Sequence, residues 1–150
     1  MWETSYGEFG GLICMATIGV HKRMIVYRKA DFKCCVCGST DNLTCDHFIP
    51  QWTRIVGNDT PNLLPMCEAC NSAKGLQFME LAKLKYLPEL HVQELMRYYR
   101  NISKYLYKYV RDFAHYRTNG EVDVEASLQI LDSYQLYIKE HEKELNWEEF

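Results

Sequence analysis

A chain of 150 residues with 47% apolar and 13% aromatic side chains can bury a core, which excludes a disordered protein and suits one domain with a helical extension. Its longest apolar run, Gly10 to Val20, is too short to cross a bilayer, and the acidic residues before it and basic residues after it invert the charge order of a secretion signal, so an intracellular chain with no membrane partner is expected. The net charge of −3 hides a split: residues 1–80 hold seven Lys/Arg and eight Asp/Glu, residues 81–117 eight and three, and residues 118–150 two and nine.

In chain order, residues 1–21 form an N-terminal segment without a clear period, expected to be a loop with a short hydrophobic element. From Lys22 to Phe32, apolar Met24, Ile25, Tyr27 and Phe32 predict a short helix. "CCVCGSTDN" is turn-like, and "LTCDHFIP" (Leu43 to Pro50) reads as a strand ended by its proline. A loop, "QWTRIVGNDTP", leads to a second short strand, "NLLPM" (Asn62 to Met66). A helix is then expected from about Glu68 to Tyr86, interrupted near Pro88.

The strongest helical period runs from Glu89 to Tyr116. Leu95, Tyr98, Ile102, Tyr105, Leu106, Tyr109 and Phe113 recur at three- and four-residue steps, and Arg97, Arg100, Lys104, Lys108 and Arg111 do the same on another face. "TNGE" (Thr118 to Glu121) breaks the pattern. A last amphipathic helix, carried by Val124, Leu128, Leu131, Tyr134 and Ile138, is expected to run to about Leu145.

Seven cysteines make an odd set for disulfides in a reducing compartment. Cys34 and Cys37 are separated by two residues, and so are Cys67 and Cys70. That is the spacing at which thiolates on two tight turns hold one tetrahedral Zn²⁺. Four thiolates leave the ion no open position, so the zinc is expected to be structural. The 29 residues between the pairs exceed the roughly 15–20 of a compact zinc ribbon, so something must fold between the knuckles. Cys14, Cys35 and Cys45 are left over and read as small buried residues.

Between the pairs stand Asp46-His47 with Pro50 three residues on, Asn62-Leu63-Leu64, and then "CEACNSAKG". In this order, with the Cys-x2-Cys-Gly turn before them, residues 22–75 resemble the HNH endonucleases. The resemblance implies a ββα-metal core: a hairpin and a helix holding one catalytic divalent ion. It implies His47 as general base, Asn62 bracing the loop that orients it, Asp46 and Asn71 as ligands of Mg²⁺ or Mn²⁺, and Lys74 near the phosphate. Many family members carry His where Asn71 stands, and an amide oxygen shifts the preference toward Mg²⁺ or Mn²⁺ over Zn²⁺.

The chemistry supports those roles. Phosphodiester hydrolysis needs an activated water and neutralised phosphoryl charge. A neutral histidine can take the water's proton near pH 7, and Mg²⁺ commonly needs only one or two protein oxygens. Each residue also has a plainer reading: Asn62 as a turn start after Pro61, Asn71 as an early helix residue, Lys74 as a solvated side chain.

The five basic residues from Arg97 to Arg111 share about 80° of one helical face. They could track a phosphate backbone, or simply form the solvated side of a core helix. Arg54 in the hairpin loop is a further candidate contact. The expected architecture is therefore α+β: an N-terminal segment (1–21), a zinc-pinned HNH core (22–87) and a helical extension (88–150). The expected function is a metal-dependent endonuclease that cuts DNA to 5′-phosphate and 3′-hydroxyl ends; residues alone do not separate DNA from RNA. The alternative is a catalytically silent or partner-dependent zinc-stabilised adaptor on the same scaffold, binding nucleic acid or another protein. The acidic end, Glu121 to Phe150, could pack on the basic helix, form a dimer surface or mimic nucleic acid for another protein, so a protein partner or self-association through the C-terminal helices is open.

Overall fold

The computed structural model describes residues 18–146, so most of the N-terminal apolar run, with Cys14, lies outside the described residues. The first helix, α1 (Val20–Lys29), stops earlier than its period suggests. Asp31 and Phe32 adopt left-handed φ values of 58° and 56°, and the N–H of Phe32 returns to the Tyr27 carbonyl at 2.8 Å. That reversal swings the chain into the first cysteine pair.

Two strands follow, β1 (Leu43–His47) and β2 (Leu63–Cys67). They pair antiparallel, from Leu43 opposite Cys67 to His47 opposite Leu63. Every residue of β2 is buried, which its apolar run demands. Pro65 is tolerated because a two-stranded sheet is all edge, and its carbonyl accepts from the Cys35 N–H at 2.9 Å. Residues 48–62 join the strands through two 3₁₀ turns, Gln51–Thr53 and Thr60–Asn62.

The next helix, α2 (Glu68–Lys74), corrects an expectation: it ends at Lys74, well before Tyr86. Gly75 terminates it at φ 57°, ψ −131°, a conformation that side chains other than glycine rarely adopt. The segment beyond runs irregularly, with a 3₁₀ turn at Leu81–Lys83. It buries Phe78, Met79, Leu84 and Leu87, whose spacing fits no single helical face. Phe78 meets the edge of Trp52 at 5.7 Å, and the Tyr134 hydroxyl donates to the Met79 carbonyl.

Helix α3 (Glu89–Arg117) starts behind Pro88 and ends near Asn119 and Gly120, both at positive φ. Helix α4 (Val124–Glu140) is capped by Asp123, whose carboxylate accepts from the Ala126 N–H at 2.9 Å. It stops short of Leu145 because the chain turns at His141, whose ring stacks on Tyr137 at 3.9 Å; a short α5 (Glu142–Asn146) follows.

Val92, Leu95, Met96, Tyr99, Leu106, Val110 and Ala114 of α3 face one core shared with Phe48, Leu64, Leu131 and Tyr134. The apolar face is narrower than its period suggests: Tyr105 is 56% and Tyr116 81% exposed. Among the tyrosines of α3, Tyr99 is the buried one, edge-on to Tyr134 at 5.1 Å. Among the described residues no helix is long and apolar enough to cross a membrane.

One core residue should make the fold acid-sensitive. His91, in the first turn of α3, is 1% exposed, and neither ring nitrogen makes a well-formed hydrogen bond. Burial, then the nearby Lys29 ammonium, bring it down to about 4, against the opposing pull of Glu94, which pairs with Lys29 at 2.6 Å. The unfolded chain therefore takes up this proton first, near pH 6.5. Stability present above that pH is lost as pH falls toward 4. Between pH 7 and pH 5 this loss should come to about 2 kcal/mol. Urea unfolding at the two pH values should show His91→Leu losing less stability than wild type by about that amount.

Candidate metal centre and hairpin site

Each cysteine pair sits on a turn built by backbone hydrogen bonds. In the first, Gly38 N–H donates to the Cys34 carbonyl at 3.0 Å and Cys34 N–H to the Ser39 carbonyl at 2.8 Å. Glycine suits position 38 because its φ is +80°, where other side chains are strained, and a Cβ there would also press on the Tyr86 ring at 2.9 Å. In the second, Cys67 ends β2 and caps α2, its sulfur accepting from the Cys70 N–H at 3.5 Å.

The pairs converge. The sulfurs of Cys34, Cys37, Cys67 and Cys70 all lie within 4.8 Å of one another. Cys37 and Cys67 are 3.7 Å apart. A tetrahedral ion with bonds of about 2.3 Å needs sulfurs about 3.8 Å apart. The cluster therefore fits a metal such as zinc. Burial works against ionising Cys34, but backbone N–H groups of Cys37, Cys67 and Val36 outweigh it and bring the thiol down to about 7. The leftover cysteines behave differently. Burial, then Cys34, push Cys35 up to about 12, and burial, then Asp46, do the same for Cys45. Both remain thiols at neutral pH.

The hairpin places Asp46 and His47 on opposite sides of β1, as strand alternation requires. Thr44 and Asp46 meet α2, where Asn71 and Lys74 stand one turn apart. The Asn71 amide Nδ2 donates to Thr44 Oγ1 at 2.9 Å, and Thr44 in turn donates to the Met66 carbonyl at 2.7 Å. Asp46 Oδ1 accepts from the His47 N–H at 2.8 Å. Its Oδ2 is buried without a directed hydrogen bond, and Lys74 Nζ lies 3.0 Å from it as an ion pair. Lys74 is 9% exposed, so the solvated reading of this residue is corrected.

His47 is buried, and its Nε2 lies 2.8 Å from Asn58 Oδ1. With the amide oxygen facing the ring, Nε2 carries the proton and Nδ1 keeps its lone pair. Burial lowers the His47 pKa, opposed by the Asn58 bond and the Asp46 charge. Asn62 is fully buried and locks the chain just after His47. Its Oδ1 accepts from the Ile49 N–H at 2.8 Å, its Nδ2 donates to the Ile49 carbonyl at 3.1 Å, and its own carbonyl accepts from Phe48 at 2.8 Å.

Sequence reasoning missed Asn58. It stands among turn-formers in "GNDTP", and nothing in that composition aims its amide at a histidine. Its loop is tethered from two helices: Lys22 donates to the Asn58 carbonyl at 2.7 Å, and Tyr98 to the Asp59 carboxylate at 2.8 Å. Arg117 was missed as well. It donates to the Thr53 carbonyl at 2.8 Å and lies 4.2 Å over Phe113, which ties the end of α3 to the turn carrying Arg54.

The basic stripe is divided. Arg100 donates to Asn146 Oδ1 at 2.7 Å and reaches the Leu145 carbonyl, so it faces α5. Arg97 is half-buried. Lys104 and Lys108 are exposed, with Lys108 pairing Asp112 at 2.9 Å, and Arg54 is exposed in a left-handed conformation at φ 65°.

Comparison of the chain with family models, with curated proteins and with solved structures returned no match. The described residues thus define a mixed α and β protein with one two-stranded antiparallel sheet and a four-cysteine cluster able to hold a metal.

Proposed function

We propose that this chain is a metal-dependent endonuclease of the HNH type, hydrolysing DNA phosphodiesters with His47 as general base. One observation carries the reading. Asp46, Asn71 and Lys74 gather on one side of the hairpin, and His47 stands on the other with one ring nitrogen bonded and the second left to act.

Asp46 offers a carboxylate and Asn71 an amide oxygen from adjacent elements, a donor set that suits a hard cation such as Mg²⁺ or Mn²⁺. The bound cation would supply charge neutralisation at the scissile phosphate and at the departing oxygen. The chain's own residues do the rest. Nδ1 of His47 takes the proton of the attacking water, and Asn58 keeps the proton on Nε2, so that Nδ1 stays basic. Asn62 fixes the backbone that follows His47, and hence the ring's position. Arg54, Lys104 and Lys108 are the exposed cations that would meet the backbone of the substrate, with zinc in the four-cysteine cluster as the structural ion.

Two measurements test this reading. Nicks made in plasmid with Mg²⁺ should be resealed by ligase, because the ends are 5′-phosphate and 3′-hydroxyl; ends that ligase cannot reseal would contradict the mechanism. Placing a carboxylate beside Nε2 with Asn58→Asp should favour the imidazolium. The acidic limb of the pH–rate profile should then move up by about 1 unit.

A further inference from the structure

The pair between Lys74 and Asp46 is not the contact expected of a lysine that serves the phosphate. The side chain of Lys74 is 4% exposed and that of Asp46 21%, so the lysine is buried along its length, which lysine adopts rarely and only with a counter-charge. The ammonium sits 3.0 Å from Oδ2, the carboxylate oxygen that makes no directed hydrogen bond. Oδ1 is already held by the His47 N–H. The oxygen left over for a cation is therefore the one that Lys74 covers. Asn71 and Thr44 bond to each other beside it.

Resting on the divalent-cation reading above, we propose that Lys74 is an internal competitor for the cation at Asp46. Its ammonium neutralises the carboxylate when no divalent ion is present, and the ion must break that pair to bind. The competition follows from charge. One carboxylate cannot serve a buried ammonium and a dication together without placing two like charges within a few ångströms in a poorly solvated site. The pair thus protects the fold from an uncompensated buried carboxylate at the cost of cation affinity. Asp46 and Lys74 come from β1 and α2, so displacing the ammonium also frees the side chain of the last residue of α2 to turn outward.

Direct Mn²⁺ binding tests this. Free Mn²⁺ is followed by electron paramagnetic resonance as it is titrated into zinc-loaded wild type, Lys74→Met, Lys74→Gln and the double variant Lys74→Met/Asp46→Asn. Zinc content and circular dichroism establish that each is folded. Both single variants should bind Mn²⁺ at least about tenfold tighter than wild type, a gain of the size one displaced counter-charge produces. The double variant should lose that gain. The thermal midpoint should also rise more on adding Mn²⁺ in the single variants than in wild type, a readout that serves even where removing the lysine weakens the metal-free fold. Equal or weaker Mn²⁺ binding in both single variants would overturn the competition and leave the cation site standing. Binding by none of the proteins would overturn the cation site, and the competition with it.

Discussion

Cys67→Ser should abolish cooperative folding of the hairpin and α2, and so should a chelator strong enough to strip the four-cysteine cluster. Cys67 is at once the last residue of β2, the cap of α2 and one of four sulfurs within 4.8 Å of one another. Between the two pairs the sheet has only two strands, which do not stand alone without further support. Structural zinc in small domains contributes about 10–16 kcal/mol at neutral pH, while whole domains are stable by about 5–15 kcal/mol. Removing it should therefore cost most of the stability of this region. One zinc per chain by elemental analysis, lost in Cys67→Ser together with the sharp thermal transition, is the expected outcome. Cys45→Ser is the control: its sulfur lies outside the cluster, so zinc content should stay at one per chain.

His47→Ala should lower the rate of metal-dependent cleavage by about 10²–10⁴, the usual worth of a general base, with zinc content and fold preserved. Among the described residues the ring bonds to Asn58, so its loss leaves the backbone clamp at Asn62 and the Asp46–Lys74 pair in place. The pH dependence follows from burial. In the proposed mechanism the neutral ring is the base, and burial lowers its pKa, so the rate should fall with acidity only below the ordinary histidine range near 6.5. Single-turnover rates on plasmid from pH 5 to 8 check both points. His47→Ala should lose the acidic limb together with the rate.

Much of the scaffold was legible because it depends on local pattern. The two strands carry their own punctuation in Pro50 and Asn62, and the convergence of Cys34, Cys37, Cys67 and Cys70 is written in their spacing. The long helix follows from its period, from Pro88 before it and from Asn119-Gly120 after it. What was not legible depends on contacts distant in sequence. The segment after Gly75 has helix-forming composition, but Phe78 is drawn onto Trp52, Met79 is held by Tyr134 of α4, and Leu84 and Leu87 are buried in the common core, so tertiary burial wins over propensity. The periodicity placed Arg100 in a solvent-facing basic stripe, yet it turns to α5, because a helical wheel does not show what packs beside it. Within the site, Asp46 and His47 stood out because charge interrupts an apolar run. Asn58 did not, since an asparagine in a turn has a sufficient local reason to be there. The pairing of Lys74 with Asp46 crosses from α2 to β1 and leaves no local trace.

The most direct test of the central claim is cutting of supercoiled plasmid by purified, zinc-loaded protein, with Mg²⁺ or Mn²⁺ and with a chelator too weak to remove the zinc. Nicked or linear product that appears only with the added ion, at a rate that Asp46→Ala abolishes, is the result expected of a divalent-metal nuclease. No cutting of plasmid, single-stranded DNA or RNA by the folded wild type would contradict it, and would favour instead a zinc-stabilised adaptor that uses the same hairpin as a scaffold.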